Sequence, residues 1–140
     1  MTDLVVRLSL RGRGLVKGVE KLLRTAALVA DREVVRRTPV DTGHARSNWI
    51  VTTGEPANYG SVDIDTGGKA ALEQGAAAIK DYTIDDGPIF NTNNVVYIMP
   101  LEHGHSRRQA PAGMATQSIA AAAAAVRAAA TNSLFATGSK

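Results

Sequence analysis

The chain contains no cysteine, which excludes disulfides, cysteine-ligated metals and thiol nucleophiles. That absence accords with assembly in a reducing cytoplasm. Aromatic residues are scarce, with one Trp, three Tyr and two Phe in 140 residues. The hydrophobic share of 44% rests largely on alanine, so one domain's worth of chain has only a thin core to build. Ala-rich helices with few large side chains complete their burial against other subunits, and self-association is expected. No apolar run approaches the ~20 residues of a membrane span. The first residues carry Asp3 and an alternating pattern in place of a charged region and an apolar core, so neither a signal peptide nor a membrane partner is expected.

Two sequence signatures of chemistry are also missing. No G-x-S-x-G nucleophile elbow occurs, and no G-x-x-x-x-G-K-[ST] phosphate loop; Gly12 and Gly14 form a fragment without the third glycine of a dinucleotide fingerprint.

Charge is present but uneven. Residues 1–38 hold nine Lys or Arg against four acids, a balance of +5; residues 39–140 hold seven against nine, or −2. The basic half suits DNA or an acidic protein surface, or simply a solvated helix face.

Period-two alternation of Leu4, Val6, Leu8 and Leu10 predicts a half-buried strand over 2–10, broken at Arg11-Gly12-Arg13-Gly14. From 15 to 37 the period becomes helical, with Leu15, Val19, Leu22, Ala26, Val29 or Ala30, and Val34 as the apolar stripe. Glu20–Arg24 and Glu33–Arg37 are candidate ion pairs one turn apart. Pro39 disfavours α geometry at Thr38 and ends the helix.

Further on, one helical turn is expected over 43–48, a strand over 49–53 and a loop over 54–60. Residues 61–65 are expected as extended loop or edge strand, with Val62 and Ile64 alternating with Asp63 and Asp65. A helix over 69–80 should be capped by Asp65 or Thr66, with Leu72, Gly75 or Ala76, and Ile79 on its apolar face. Thr83-Ile84-Asp85 and Ile89-Phe90-Asn91 read as a hairpin across Asp86-Gly87-Pro88, followed by a turn at 91–94. Residues 95–101 fit either a strand or a short helix. Pro111 suits the first position of a final helix over 112–130, striped by Met114, Ile119, Ala122 or Ala123, Val126 and Ala130. The pattern gives one α+β domain over 1–131, a small antiparallel sheet with the long N-terminal helix packed across it and an Ala-rich C-terminal helix, then a tail or arm over 132–140.

The organising stretch is Arg37-Thr38-Pro39-Val40-Asp41-Thr42-Gly43-His44-Ala45-Arg46-Ser47-Asn48-Trp49. Asp41 can bond nearby backbone N–H groups and Gly43 permits positive φ, so the stretch reads as a tight elbow that bonds itself. Trp49 opens an apolar strand and belongs in the core. This stretch resembles the T-P-V-D-T-G-x-A-R-x-N-W signature of neck, or tail-completion, proteins of tailed double-stranded DNA phages, the minor tail protein Z-like group. A second stretch, Tyr97-Ile98-Met99-Pro100-Leu101-Glu102-His103-Gly104-His105-Ser106 with Gln109-Ala110-Pro111-Ala112-Gly113-Met114, resembles that family's Y-x-x-x-L-E-x-G-x-S…Q-A-P-x-G-M segment. The resemblance spans roughly residues 4–130 and favours the short helix over 95–101.

The resemblance implies a structural virion protein with no cofactor and no catalytic role, assembled in the host cytoplasm. It would form a ring, with six copies suggested by tail symmetry, that joins the head connector or head-completion protein to the tail terminator or tail tube. Genomic DNA would pass nearby. Thr38, Pro39, Asp41, Thr42, Gly43, Arg46 and Trp49 form the structural motif, and Glu102, Gly104, Ser106, Arg107, Arg108, Gln109, Pro111 and Met114 are candidate interface residues. A head-completion adaptor or tail terminator ring of the same neck is the nearest alternative, and a basic DNA-binding module a more distant one.

Two enzymatic or metal readings compete. Asp41-Thr42-Gly43 matches the D-T-G of aspartic proteases, which share a proton between two carboxylates across a dimer. Here it follows a long helix, and His44 stands where those enzymes continue with Ala. Glu102, His103 and His105 have the spacing of a partial metal site, but Gly104 separates the imidazoles and no further ligand lies nearby. A structural Glu102 bonded to backbone or Arg is the plainer reading.

Overall fold

The computed structural model describes residues 2–62, 64–104 and 113–137, with side chains described for 13–62, 64–104 and 113–132. The fold is α+β. Helix α1 spans Thr2–Arg37, a short helix α2 His44–Ser47, strand β1 Ile50–Thr53, helix α3 Lys69–Ile79, strand β2 Ile89–Thr92, a short helix α4 Ile98–Glu102 and helix α5 Met114–Thr137. β1 and β2 pair antiparallel, with Ile50 opposite Thr92 and Thr53 opposite Ile89. α1 and α5 pack against each other, and α1 also crosses the two-stranded sheet.

Two small apolar clusters make up the core. Val34, Val35, Trp49, Ala71 and Met114 form one, with Leu72, Ile98, Leu101 and Ala115 packed against it. Val51, Ile79 and Tyr82 form the other, flanked by Ala27 and Ile89. On α5 the buried positions are Met114, Ser118 and Ala122, at steps of four, so small side chains let α5 approach α1 closely.

The free edge of β1 would leave unpaired backbone groups, and a side chain covers it. Gln74 of α3 accepts from Val51 N at 3.0 Å and donates to Val51 O at 2.8 Å, mimicking a third strand. α3 itself starts at Gly68, whose φ of +73° suits glycine. Asp65 caps it from outside, accepting from Gly67 N at 2.9 Å and Ala70 N at 3.2 Å.

Several expectations are corrected. Residues 2–10 are helical and Gly12 and Gly14 do not break α1. A helix already nucleated over 15–37 extends through a glycine at a cost of about 1 kcal/mol, whereas a strand there would have no partner in the β1–β2 sheet. The 83–91 hairpin does not form. Ile84–Asp86 is a 3-10 turn closed by a Thr83–Asp86 capping box, and β2 pairs with β1 instead. Asn91 and Thr92 belong to β2 rather than to a turn. Glu20 and Arg24 do not serve each other: Glu20 accepts from Ile84 N at 2.9 Å and Arg24 donates to Tyr82 O at 2.7 Å, both tying α1 to that turn. Glu33–Arg37 does pair, at 3.2 Å. Leu15 and Val19 of the predicted stripe are exposed, as is Ile119. α5 continues through 132, where a tail was expected, to Thr137.

α1 and α3 touch most closely at Gly75. A β-carbon there would lie 2.3 Å from Asp31 Oδ2 and 3.1 Å from Val51 Cγ2. Gly75→Ala should therefore destabilise the fold by about 2–3 kcal/mol despite alanine's better helix propensity, measured by urea unfolding.

Candidate functional site

The elbow after α1 is where the chain's most distinctive residues meet. Thr38 is fully buried. Its hydroxyl donates to Val34 O at 2.6 Å, accepts from Trp49 Nε1 at 2.7 Å and lies 3.6 Å from Met114 Sδ. The last carbonyls of α1 have no helical partner. Arg46, two turns on in sequence, supplies one: its guanidinium donates to Arg36 O at 3.2 Å and Thr38 O at 2.8 Å, and also to Thr66 O at 2.9 Å. Burial pushes the guanidinium's pKa down and the nearby Asp65 charge opposes that shift. The planar fork of five donors lets one side chain reach three carbonyls that lie in different directions.

The next residues extend the network. Ser47 Oγ accepts from Asp65 N at 2.7 Å and donates toward Gly43 O at 2.9 Å. Asn48 accepts from Ser61 N at 2.8 Å and donates to His44 O at 2.8 Å. Asn93 and Asn94 donate to Ala45 O and Ala57 O, each at 2.8 Å, pinning the loop after β2. Gly43 has φ +89°, and a β-carbon there would meet Thr66 N at 2.9 Å, so only glycine fits.

Pro39, Thr42 and Asp41 sit on the outside of this hub. Thr42 Oγ1 accepts from His44 N at 3.4 Å, the role expected of Asp41. Asp41 is exposed and bonds no elbow N–H, because Thr42 is nearer the turn's free donor. An open cleft of about 450 Å³ lies beside Asp41, Thr42, His44 and Tyr97. The His44 and Tyr97 rings lie 6.5 Å apart across it. Among the described residues no group of three or more His, Asp or Glu is placed to hold a metal.

Of the second stretch, the described residues are 97–104, 113 and 114. Glu102 caps α5, accepting from Ala115 N at 2.8 Å, Thr116 N at 3.2 Å and Thr116 Oγ1 at 3.0 Å, where negative charge favours a helix N-terminus. Gly113 N also donates to Glu102 O at 2.7 Å, so Glu102 ties the end of α4 to the start of α5. Gly104 follows with φ +101°. Met114, expected at an interface, is buried in the first apolar cluster, and among the described residues of α5 it is the one large side chain in that cluster. Ser106, Arg107, Arg108, Gln109 and Pro111 lie outside the described residues, as does His105.

One buried group had not been singled out. Asp31 of α1 lies between the two apolar clusters, accepting from Asn91 Nδ2 at 2.9 Å. Burial raises its pKa from 3.8 to about 6, against the opposing hydrogen bond. The signal was a carboxylate four residues from Ala27 and three from Val34, on the face that must be covered.

Compared with protein families, curated proteins and solved structures, the chain matches none. No described helix is long and apolar enough to cross a membrane.

Two outcomes follow from this geometry. Arg46→Lys keeps the charge but leaves carbonyls without donors, and should lower stability by about 1–3 kcal/mol in thermal unfolding. Folding raises the pKa of Asp31, so the folded state holds that proton more tightly than the unfolded chain between pH 3.8 and about 6. This term lowers stability as pH rises through that window, and the loss is complete above it. Asp31→Asn should stabilise the protein by about 2 kcal/mol at pH 7–8 and have little effect at pH 4. Its new amide can also donate to the buried, unpartnered Asn91 Oδ1.

Proposed function

We propose that the chain is a structural virion protein of a tailed double-stranded DNA phage, a neck or tail-completion subunit that joins the head connector to the tail. The observation that carries this reading is the pairing of two stretches similar to the neck-protein signatures, at residues 37–49 and 97–114, in one chain. The roles of Thr38, Arg46 and Trp49 support it, since a signature spent on holding a fold suits a scaffold subunit. So do the exposed apolar side chains Tyr59, Val62, Val96 and Met99, which a lone domain would not keep on its surface without a partner.

The function is geometric. Heterologous contacts between copies close a ring of about six subunits, and each subunit offers one face to a head-completion or connector protein and another to the tail terminator or tube. Residues 103–112, which include Arg107 and Arg108, are the proposed contact with these neighbours. The virion neck is the proposed location.

Native mass spectrometry of the purified chain, alone and mixed with connector and tail-tube proteins, tests the reading. The expected result is a ring of about six copies, formed alone or on a partner. A chain that stays monomeric with every partner contradicts it.

A further inference from the structure

α1 is the longest element: its 36 residues span about 54 Å, against about 36 Å for the 24 residues of α5 beside it. Residues 13–19 are exposed at every position. Within them Leu15 is 72% exposed, Val16 42% and Val19 45%. Gly14 and Gly18 have nothing within 4 Å of where a side chain would begin. On one side Gly14, Leu15, Gly18 and Val19 share an open groove with Ala129 and Ala130 of α5, and two glycines with such bare apolar side chains make a helical segment that a further partner stabilises. It is also basic, with Arg13, Lys17 and Lys21 against Glu20.

A complementary surface lies elsewhere on the molecule. An open apolar groove of about 540 Å³ runs between α1, α5 and the 82–89 segment, walled by Leu23, Ala30, Ile84, Pro88, Ile89 and Ile119. Ile119 is 67% exposed on its rim. The adjoining segment 80–86 carries Asp81, Asp85 and Asp86 against Lys80, all exposed. The groove is thus apolar along its floor and acidic along one edge, and the exposed turns of α1 are apolar along one edge and basic beside it.

We propose that the exposed 13–19 segment of α1 docks into this groove on a second copy of the chain, with Leu15, Val16 and Val19 on the apolar floor and Lys17 and Lys21 against the 81–86 carboxylates. The contact rests on the reading of the chain as a self-assembling subunit and specifies which surfaces meet. Charge complementarity selects the occupant: an acidic helix would be repelled by the same edge, and a neutral one would gain nothing from it.

The absence of cysteine makes the test direct. Full-length chain carrying Val16→Cys is mixed with full-length chain carrying Ile119→Cys under mild oxidation, with Glu55→Cys replacing Ile119→Cys as the control. Cross-linked dimer from the first mixture and not from the control is the expected result. Lys17→Glu should weaken self-association about fivefold, and Asp85→Lys in the same chain should restore it. Leu15→Ser with Val19→Ser should weaken it about tenfold or more, with an unchanged circular dichroism spectrum because both positions are exposed.

A ring that forms without the Val16–Ile119 cross-link, and is indifferent to these variants, overturns the contact and leaves the ring reading standing. The cross-link in a species that stops at a dimer supports the contact and overturns the ring. A chain monomeric at every concentration overturns both.

Discussion

The structure depends on how the C-terminal end of α1 is terminated. A 36-residue helix ends in carbonyls with no helical partner, and here they face the protein rather than water. Arg46 reaches back to Arg36 O and Thr38 O, and with its other nitrogen it holds Thr66 O. Thr38 is locked from the inside by Val34 and Trp49. One guanidinium and one hydroxyl therefore set the angle between α1 and all that follows: the turn α2, the start of β1 and the long loop that leads into α3. Ser47 and Asn48 carry that order to Asp65 and Ser61, which lie in no helix or strand.

With the frame fixed in this way, the core can be small. Two clusters of a few residues each stand on either side of Asp31 and Gly75, and α5 adds little more than Met114 and a row of Ala and Ser. The ionised Asp31 works against the fold at neutral pH, so polar anchoring at the elbow matters more than it would beneath a larger core. The apolar area that the domain does not bury stays on its surface, and this gives the proposed assembly its material. In this reading the signature residues shape the subunit, while less distinctive residues at Leu15, Val19, Ile84 and Ile119 recognise its neighbours.

Much of this was legible where local chemistry decides the outcome. Pro39 stops α1 at Arg37, Gly43 takes positive φ, Asp65 caps α3, Trp49 is buried and 95–101 yields a short helix. The failures come from tertiary choices. Alternation over 2–10 looked like a strand, but among the described residues β1 and β2 pair with each other, and a helix needs no partner strand. Ile84 and Ile89 looked like the two arms of a hairpin, yet β1 offered β2 the better partner and the Thr83–Asp86 box closed the rest into a turn. That box was visible as Thr-x-x-Asp. Glu20 and Arg24 had the spacing of a surface pair, but the backbone of 82–84 competed for both. Asp41 illustrates the limit for the site: the D-T-G triplet drew attention to its carboxylate, whereas the structure gives the capping bond to Thr42 and the central part to Arg46, three residues beyond the triplet.

The central claim is that side chains of the 38–49 stretch order a loop that has no secondary structure. Amide hydrogen exchange tests it most directly. Ser61 N and Asp65 N, bonded to Asn48 Oδ1 and Ser47 Oγ, should exchange as slowly as the β1 amide of Val51, through opening of the whole domain. Exchange of Ser61 and Asp65 at the rate of free peptide, with Val51 still protected, would contradict the account.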